Sequence, residues 1–274
     1  MNERIGVFRS PMMVIGTGLL ALILLLAFLG PYLVPNDPLS VELSERLQPP
    51  SAKYPLGTDH LGRCNFSRLV EGAQHTLGIT GLVILTVMFV GIPVGLVSGY
   101  VGGRLDAFLM RLVEGVGALP EFVLAIAVAG FLGPSLTNLV VSIVAVKWVG
   151  YSRVVRSIVL SEREKEYVLA ARVAGTSTWR VIWRHLLPHI VSPILVLAAL
   201  DIGKVILLVS MFSFLGLGVQ PPMPEWGAML NDGRPYFQTV PELMIYPGVA
   251  ILLVVISCNL IADALRDRLD VRSR

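Results

Sequence analysis

The sequence predicts an all-α polytopic membrane protein with six transmembrane helices and both termini in the cytoplasm. Three observations carry this. Hydrophobic residues make up 54% of the chain and charged residues 15%, with a mean hydropathy of +0.73, whereas soluble domains carry about 25% charged residues. The apolar residues are gathered into blocks of about 20, the length that crosses a hydrocarbon core of about 30 Å. Lys and Arg fall between those blocks. With the N-terminus inside, fifteen lie in cytoplasmic segments and five in outer ones, the asymmetry expected of an inserted chain. The same distribution argues against a nucleic-acid protein, which would cluster its basic residues on one folded surface. The two cysteines, Cys64 and Cys258, support neither a disulfide framework nor a metal site.

Residues 1–11 are read as a cytoplasmic N-terminus and 12–34 as the first transmembrane helix. The apolar run is longer than a signal-peptide core and lacks a small-residue cleavage site. Residues 35–74 form an extracytoplasmic loop rich in proline, with turn chemistry at Gly57 and Gly62. The second span, about 75–100, contains Gly78, Gly81, Gly91, Gly95 and Gly99, and small residues let helices in lipid approach closely. An amphipathic stretch at 102–116 precedes a short third span at about 119–132 and a fourth at about 136–149. A fifth at about 190–218 is interrupted by Asp201 and Lys204, and a sixth covers about 243–264. Spans two to six make a permease-like core over 75–266, followed by a cytoplasmic tail at 267–274.

Within that core, 151–189 is the longest basic interruption. Its second part reads as two short helices separated by Gly175, a C-cap signal, with Thr176 or Ser177 able to cap the second. Trp179, Ile182, Trp183 and Leu186 recur at i, i+3, i+4 and i+7, which predicts one apolar face. Arg180 and Arg184 lie off that face. Pro188 is expected to stop the element. Such a helix either rests on lipid headgroups or docks a soluble partner.

Here the chain resembles a family. Glu166, Ala170, Ala171, Gly175 and Leu187-Pro188 fit the EAA-loop pattern of the membrane subunits of ATP-binding-cassette importers. LGTDHLGR (56–63), FSRL (66–69), GGRLD (102–106), FLGLGV (214–219), PEWGAML (224–230) and NLIADALRDRLD (259–270) are similar to the permease branch for dipeptides, oligopeptides and nickel, in its second permease. LVLAALDIGK (195–204) and LNDGRPY (230–236) look closer to the nickel and metal-chelate members. Cys64 stands where that family usually has Asp, and His189 where it usually has Asn.

The resemblance implies a type I importer fold with cytoplasmic coupling helices, in a bacterial inner membrane. Glu166, Ala170, Ala171, Gly175, Arg180, Leu187 and Pro188 would then dock the ATPase. It also implies a homologous second permease as heterodimer partner, two cytoplasmic ATPase subunits and an extracytoplasmic solute-binding protein. The cargo would be a nickel or other metal chelate, or a short peptide. No G-x4-GK[ST] phosphate loop occurs, since Gly203-Lys204 is followed by Val. ATP and Mg would therefore be bound by partner chains, and this chain would need no cofactor and catalyse nothing itself.

Asp201 and Lys204 share a helix face and can pair. With Ser210, Phe214, Gly216 and Gly218 they are candidates for the translocation path, because ionisable groups in spans often line pathways; the pair could equally well serve packing. His185 and His189 have zinc-like spacing, but Pro188 intervenes and no third ligand is near. An intramembrane enzyme would need catalytic groups paired at depth, which Ser210 and Ser213 lack. A secondary transporter would show internal repeats, and none is evident.

Overall fold

A computed structural model describes the backbone of residues 11–271 and the side chains of 11–264. The expected cytoplasmic segment at 1–11 lies almost entirely outside the described residues. So do the side chains of the expected tail at 267–274. Among the described residues every regular element is helical, apart from one isolated bridge between Thr58 and Cys64.

Ten α-helices follow in order: α1 (Pro11–Leu29), α2 (Asn65–Val101), α3 (Gly103–Gly117), α4 (Glu121–Leu132), α5 (Leu136–Glu162), α6 (Glu166–Val173), α7 (Thr178–Val181), α8 (Leu187–Phe214), α9 (Trp226–Gly233) and α10 (Glu242–Val271). Five stretches are long and apolar enough to cross a bilayer: Pro11–Tyr32, Asn65–Val101, Leu136–Glu162, Thr178–Phe214 and Glu242–Ala264. The third expected span is different. α4 has only 12 residues, about 18 Å of helix at 1.5 Å per residue, so it is too short alone. A sixth crossing forms only if α3 and α4 are joined, and they meet at 88°.

Three spans extend beyond their expected ends. α2 begins ten residues before His75, α5 continues to Glu162 rather than ending near Val149, and the fifth span runs back without a stop to Thr178. In each case polar residues hid the extension. In α2 and α5 hydrogen bonds and ion pairs of such residues, Arg68, Thr76, Arg156 and Glu162 among them, let the helix continue, while Arg180 and Arg184 simply stand exposed.

Two compact units divide the chain. The first comprises residues up to Leu82, Ala129–Val140 and Leu200 onward. In it α1 packs on α10, and a Cβ on Gly16 would lie 2.9 Å from the Leu260 Cβ. Ala27, Ala73, Ile206, Trp226 and Val254 form its buried core.

The segment between α1 and α2 folds back over one end of this unit. Gly62 takes φ +79°, and a Cβ there would meet the Glu42 carbonyl oxygen at 1.9 Å, so only glycine fits. Asp59 is buried and organises the turn. Its Oδ1 accepts from the Leu61 and Arg63 amides at 2.8 and 3.0 Å, and its Oδ2 from Arg63 Nε at 2.6 Å. Arg63 and Arg68, each 3% exposed, also reach Asp232 Oδ2 at 3.3 and 3.5 Å. Within what reads in the sequence as a proline-rich loop lies a largely buried four-residue ion network. Cys64 stands just before the first residue of α2, where its carbonyl accepts from the Arg68 amide at 3.1 Å and its thiol from Asn36 Nδ2 at 3.5 Å.

The second unit comprises Val83–Val128 and Val141–Ala199. Gly91, Gly95 and Gly99 line one face of α2 against α5. A Cβ on each would stand 2.7 Å from Tyr151 Cβ, 2.4 Å from Ser152 O and 2.8 Å from Val159 Cβ. This is the small-residue contact by which helices associate in lipid. α3 is pinned to α5 by a two-pronged pair: Arg156 Nε and Nη2 donate to the two Asp106 oxygens at 2.6 and 2.7 Å. The Ser98 hydroxyl donates to Asp106 as well. Lys147 reaches Glu121 at 3.2 Å.

Candidate functional site

The candidate coupling element, residues 166–188, lies wholly in the second unit and follows the end of α5. Glu162 is buried there and gathers three side chains. Its Oε1 accepts from Lys165 Nζ at 2.6 Å, its Oε2 from the Tyr167 hydroxyl at 2.5 Å, and His189 Nε2 stands 4.0 Å away. Desolvation, followed by the bond to Glu162, pushes the Tyr167 phenol up to about 12. Glu162 therefore ties the starts of α6 and α8 to the end of α5.

α6 carries Glu166 in its first turn, then Ala170 and Ala171. It ends at Gly175 (φ +75°) in a Schellman arrangement. The Thr176 amide donates to Ala171 O at 3.0 Å and the Gly175 amide to Arg172 O at 2.9 Å, closing two carbonyls that the helix end leaves open. Ser177 takes the N-cap position of α7 with extended backbone, but its hydroxyl makes no capping bond. Arg172 lies over the Tyr100 ring at 4.8 Å.

Two expectations about the following residues need correction. Pro188 does not stop the element. Ile182–Leu186 forms a π-turn in which the Leu187 amide reaches back to Ile182 O, and α8 continues directly. Pro188 follows that π-turn directly, so its missing N–H falls where the regular i→i−4 ladder is already interrupted. The widened turn also relieves the clash of its ring with the preceding carbonyl. Nor do Trp179, Ile182, Trp183 and Leu186 form one face. Leu186 is fully buried together with Val181, whereas Trp179 and Trp183 are 69% and 54% exposed, edge to face at 5.4 Å.

The motif residues are largely on the surface. Glu166, Ala170, Gly175, Arg180 and Pro188 are exposed and Ala171 and Leu187 half-exposed, with Val173 at 90% beside them. Val168, Val181 and Leu186 anchor the element from beneath, each fully buried. The product is an anchored platform with an apolar and basic outer surface. His185 and His189 both lie against the Tyr167 ring, at 5.9 and 6.1 Å.

The candidate path residues lie in the first unit and do not share one surface. Lys204 Nζ is 3.8 Å from Asp201 Oδ1, so the expected pair forms, but Asp201 is buried and the Lys204 side chain 73% exposed. Lys204 stands with Leu207, Met211 and Leu215 on an exposed stripe of α8 and the turn after it. Ser210 is buried against α9: a Cβ on Gly227 would lie 2.3 Å from its carbonyl oxygen. Phe214 is half-buried, with Arg234 over its ring at 5.9 Å. Gly216 takes φ +79° and Gly218 is buried with its Cα against Ser213. Gln220 Nε2 closes this turn on Gly216 O and Gly218 O at 3.2 and 3.0 Å.

Sequence reasoning missed Glu225. It is fully buried at the N-cap of α9, accepting from the Gly227 and Ala228 amides at 3.0 and 2.9 Å and from Thr76 Oγ1 at 3.2 Å. Burial pushes its carboxyl above the usual range, against the donors that favour its charge. Its place before WGAML is an N-cap signal that could have been read. The Arg68–Asp232 contact spans too much sequence to leave one.

Residues 91–274 match the family model described as binding-protein-dependent transport system inner membrane component, and residues 7–50 the N-terminal TM domain of oligopeptide transport permease C. The chain is 42% identical to the nickel transport system permease protein NikC of Escherichia coli (strain K12), covering 92% of this chain and 91% of that one. It is 38% identical to the dipeptide transport system permease protein DppC of Alkalihalophilus pseudofirmus, covering 97% and 88%. Identity to the probable D,D-dipeptide transport system permease protein DdpC of E. coli K12 is 40%, covering 96% and 89%. Among solved structures, a chain of the inward-facing MetNI methionine ABC transporter superposes with a TM-score of 0.54 at 18% identity, covering 72% of this chain and 94% of that one. That likeness concerns the fold.

Proposed function

The chain belongs to the inner-membrane components of binding-protein-dependent transport systems, and from that premise we propose that it forms half of the translocation pore of an ATP-driven importer. The surface of 166–188 carries this reading. A rigidly anchored element presents Glu166, Gly175, Arg180 and the two exposed tryptophans to a soluble partner, as a docking knob for an ATPase must. A helix that merely rested on headgroups would not need the Glu162 tether or the Schellman stop.

Two ATPase subunits bind and hydrolyse ATP on the cytoplasmic side, and a homologous second permease completes the pore. A solute-binding protein delivers cargo from outside the cell. Closure of the ATPase pair pushes on 166–188, and α8, which starts in that element and runs to Phe214, carries the displacement along the span. The exposed stripe with Lys204, Leu207 and Met211 faces the pathway or the second permease. The cargo is of the class carried by the relatives, a nickel complex or a short peptide.

Purification with its partner chains, reconstitution and uptake assays with labelled nickel chelates and labelled dipeptides test this. ATP-dependent uptake of one class, stimulated by the solute-binding protein, is expected. Uptake by this chain alone in ATP-free vesicles would refute it.

A further inference from the structure

The first unit contains an apolar groove that includes none of the candidate path residues. Its volume is about 330 Å³, and it is lined by Leu26 of α1, Phe66 and Leu69 of α2, Trp226 of α9, and Tyr246 and Leu253 of α10, among others. The lining is almost wholly carbon. The indole N–H of Trp226 is already donated to Leu69 O at 2.9 Å, so the ring offers the groove only its apolar surface. Gly72 packs against the same ring, where a Cβ would lie 3.0 Å from Cδ1, which fixes the indole in place.

The position of the groove identifies its occupant. Phe66 and Leu69 lie in the first turns of α2, Tyr246 in the first turns of α10 and Leu26 near the end of α1. All mark the end of the spans over which residues 33–64 fold. Trp and Tyr concentrate at this depth, the boundary between hydrocarbon and water. Leu26, Val249 and Leu253 are substantially exposed, so the groove is open at the surface of helices that lie in lipid. Water gains nothing in a site without polar partners, and an unfilled gap forfeits the dispersion contacts of its walls. Hydrocarbon chains are the one abundant material there that matches them.

We propose that this groove between α1, α2 and α10 is a binding site for one lipid acyl chain, from the leaflet on the side of residues 33–64. The bound chain acts as packing for α1, adding to the contacts that Leu20, Ile23 and Ala27 make with the core and to the close approach just after the helix at Gly30, where a Cβ would come within 2.3 Å of Val70 Cγ1.

The test is photo-crosslinking of the assembled transporter in bilayers containing a phospholipid with a diazirine on its acyl chain, with adducts mapped by mass spectrometry. Adducts are expected at Leu26, Phe66 and Leu253. Ala250→Phe, which fills the groove, should lower them several-fold and leave adducts at the exposed Phe89 and Phe131 unchanged. Val249→Phe provides a second filling variant should the first fail to assemble. Equal labelling of groove and control residues, or labelling that neither variant alters, would mean ordinary annular lipid and overturn the proposal. Labelling that occurs in the lone chain but vanishes in the assembled complex would mean that a partner helix occupies the groove, and would overturn it too.

Discussion

Gly95 of α2 and Ser152 of α5 lie so close that a Cβ on the glycine would stand 2.4 Å from the serine carbonyl oxygen. That oxygen belongs to helix backbone and cannot move aside. Gly95→Leu should therefore separate α2 from α5 and cost about 1–3 kcal/mol or more, as overpacking does. Gly78, around which nothing lies within 4 Å, is the control. Thermal unfolding in detergent should show a lowered midpoint for Gly95→Leu and little change for Gly78→Leu.

Asp59 and Asp232 both pair with Arg63 and with Arg68. Asp59→Asn keeps the shape but removes the charge, leaving two buried guanidiniums to share one carboxylate. Breaking a buried pair this way costs about 3–5 kcal/mol. The expected result is rapid proteolytic cleavage within 33–64 while the spans stay protected. Arg46→Ala, whose hydrogen bond to the Tyr236 hydroxyl is exposed, should have no such effect.

Glu225 and Thr76 meet at 3.2 Å in a fully buried setting. Glu225→Ala removes the N-cap of α9, a loss of about 0.5–2 kcal/mol, and takes away the acceptor of the Thr76 hydroxyl, which keeps only the bond it accepts from the Trp226 amide. A double-mutant cycle with Thr76→Val should show coupling of about 0.5–3 kcal/mol. Additive losses in chemical denaturation would show that the contact contributes nothing.

For the coupling element, Glu166→Arg reverses an exposed charge and Gly175→Pro forbids the φ of +75° that the Schellman stop requires. Both should insert and assemble with the second permease. ATP-dependent uptake should be lost, with ATPase association weakened in pull-downs. Survival of both uptake and association would remove the docking reading.

Glu162→Gln keeps the size of the side chain but weakens its hold on Lys165 and Tyr167. Its expected effect is narrower: ATPase association is retained while uptake per ATP hydrolysed falls. A drop in association equal to that of Glu166→Arg would mean that Glu162 shapes the docking surface and not its tether.

Much of this protein is legible from local pattern. Apolar blocks reveal the spans because bilayer thickness sets their length, and Gly175 reveals a helix stop because few residues adopt its backbone. Gly91, Gly95 and Gly99, four apart, reveal a close helix contact without naming the partner. The misreadings share a cause. Pro188 reads as a breaker because the π-turn that accommodates it leaves no signature, and Trp179 and Trp183 read as one face with Leu186 because periodicity says nothing of which residues the fold covers.

The sequence alone determined the helical class, the apolar blocks and the position of the short helices at 166–188, since each depends on composition or on spacing within one helix. Tertiary structure decided the rest. It joined Asp59, Arg63 and Arg68 to Asp232, set Thr76 against Glu225, made Glu162 the tether of two helices and exposed Trp179 and Trp183. Those outcomes depend on which distant segments meet, and in a membrane chain they are set by close packing and buried charge, which no local periodicity encodes.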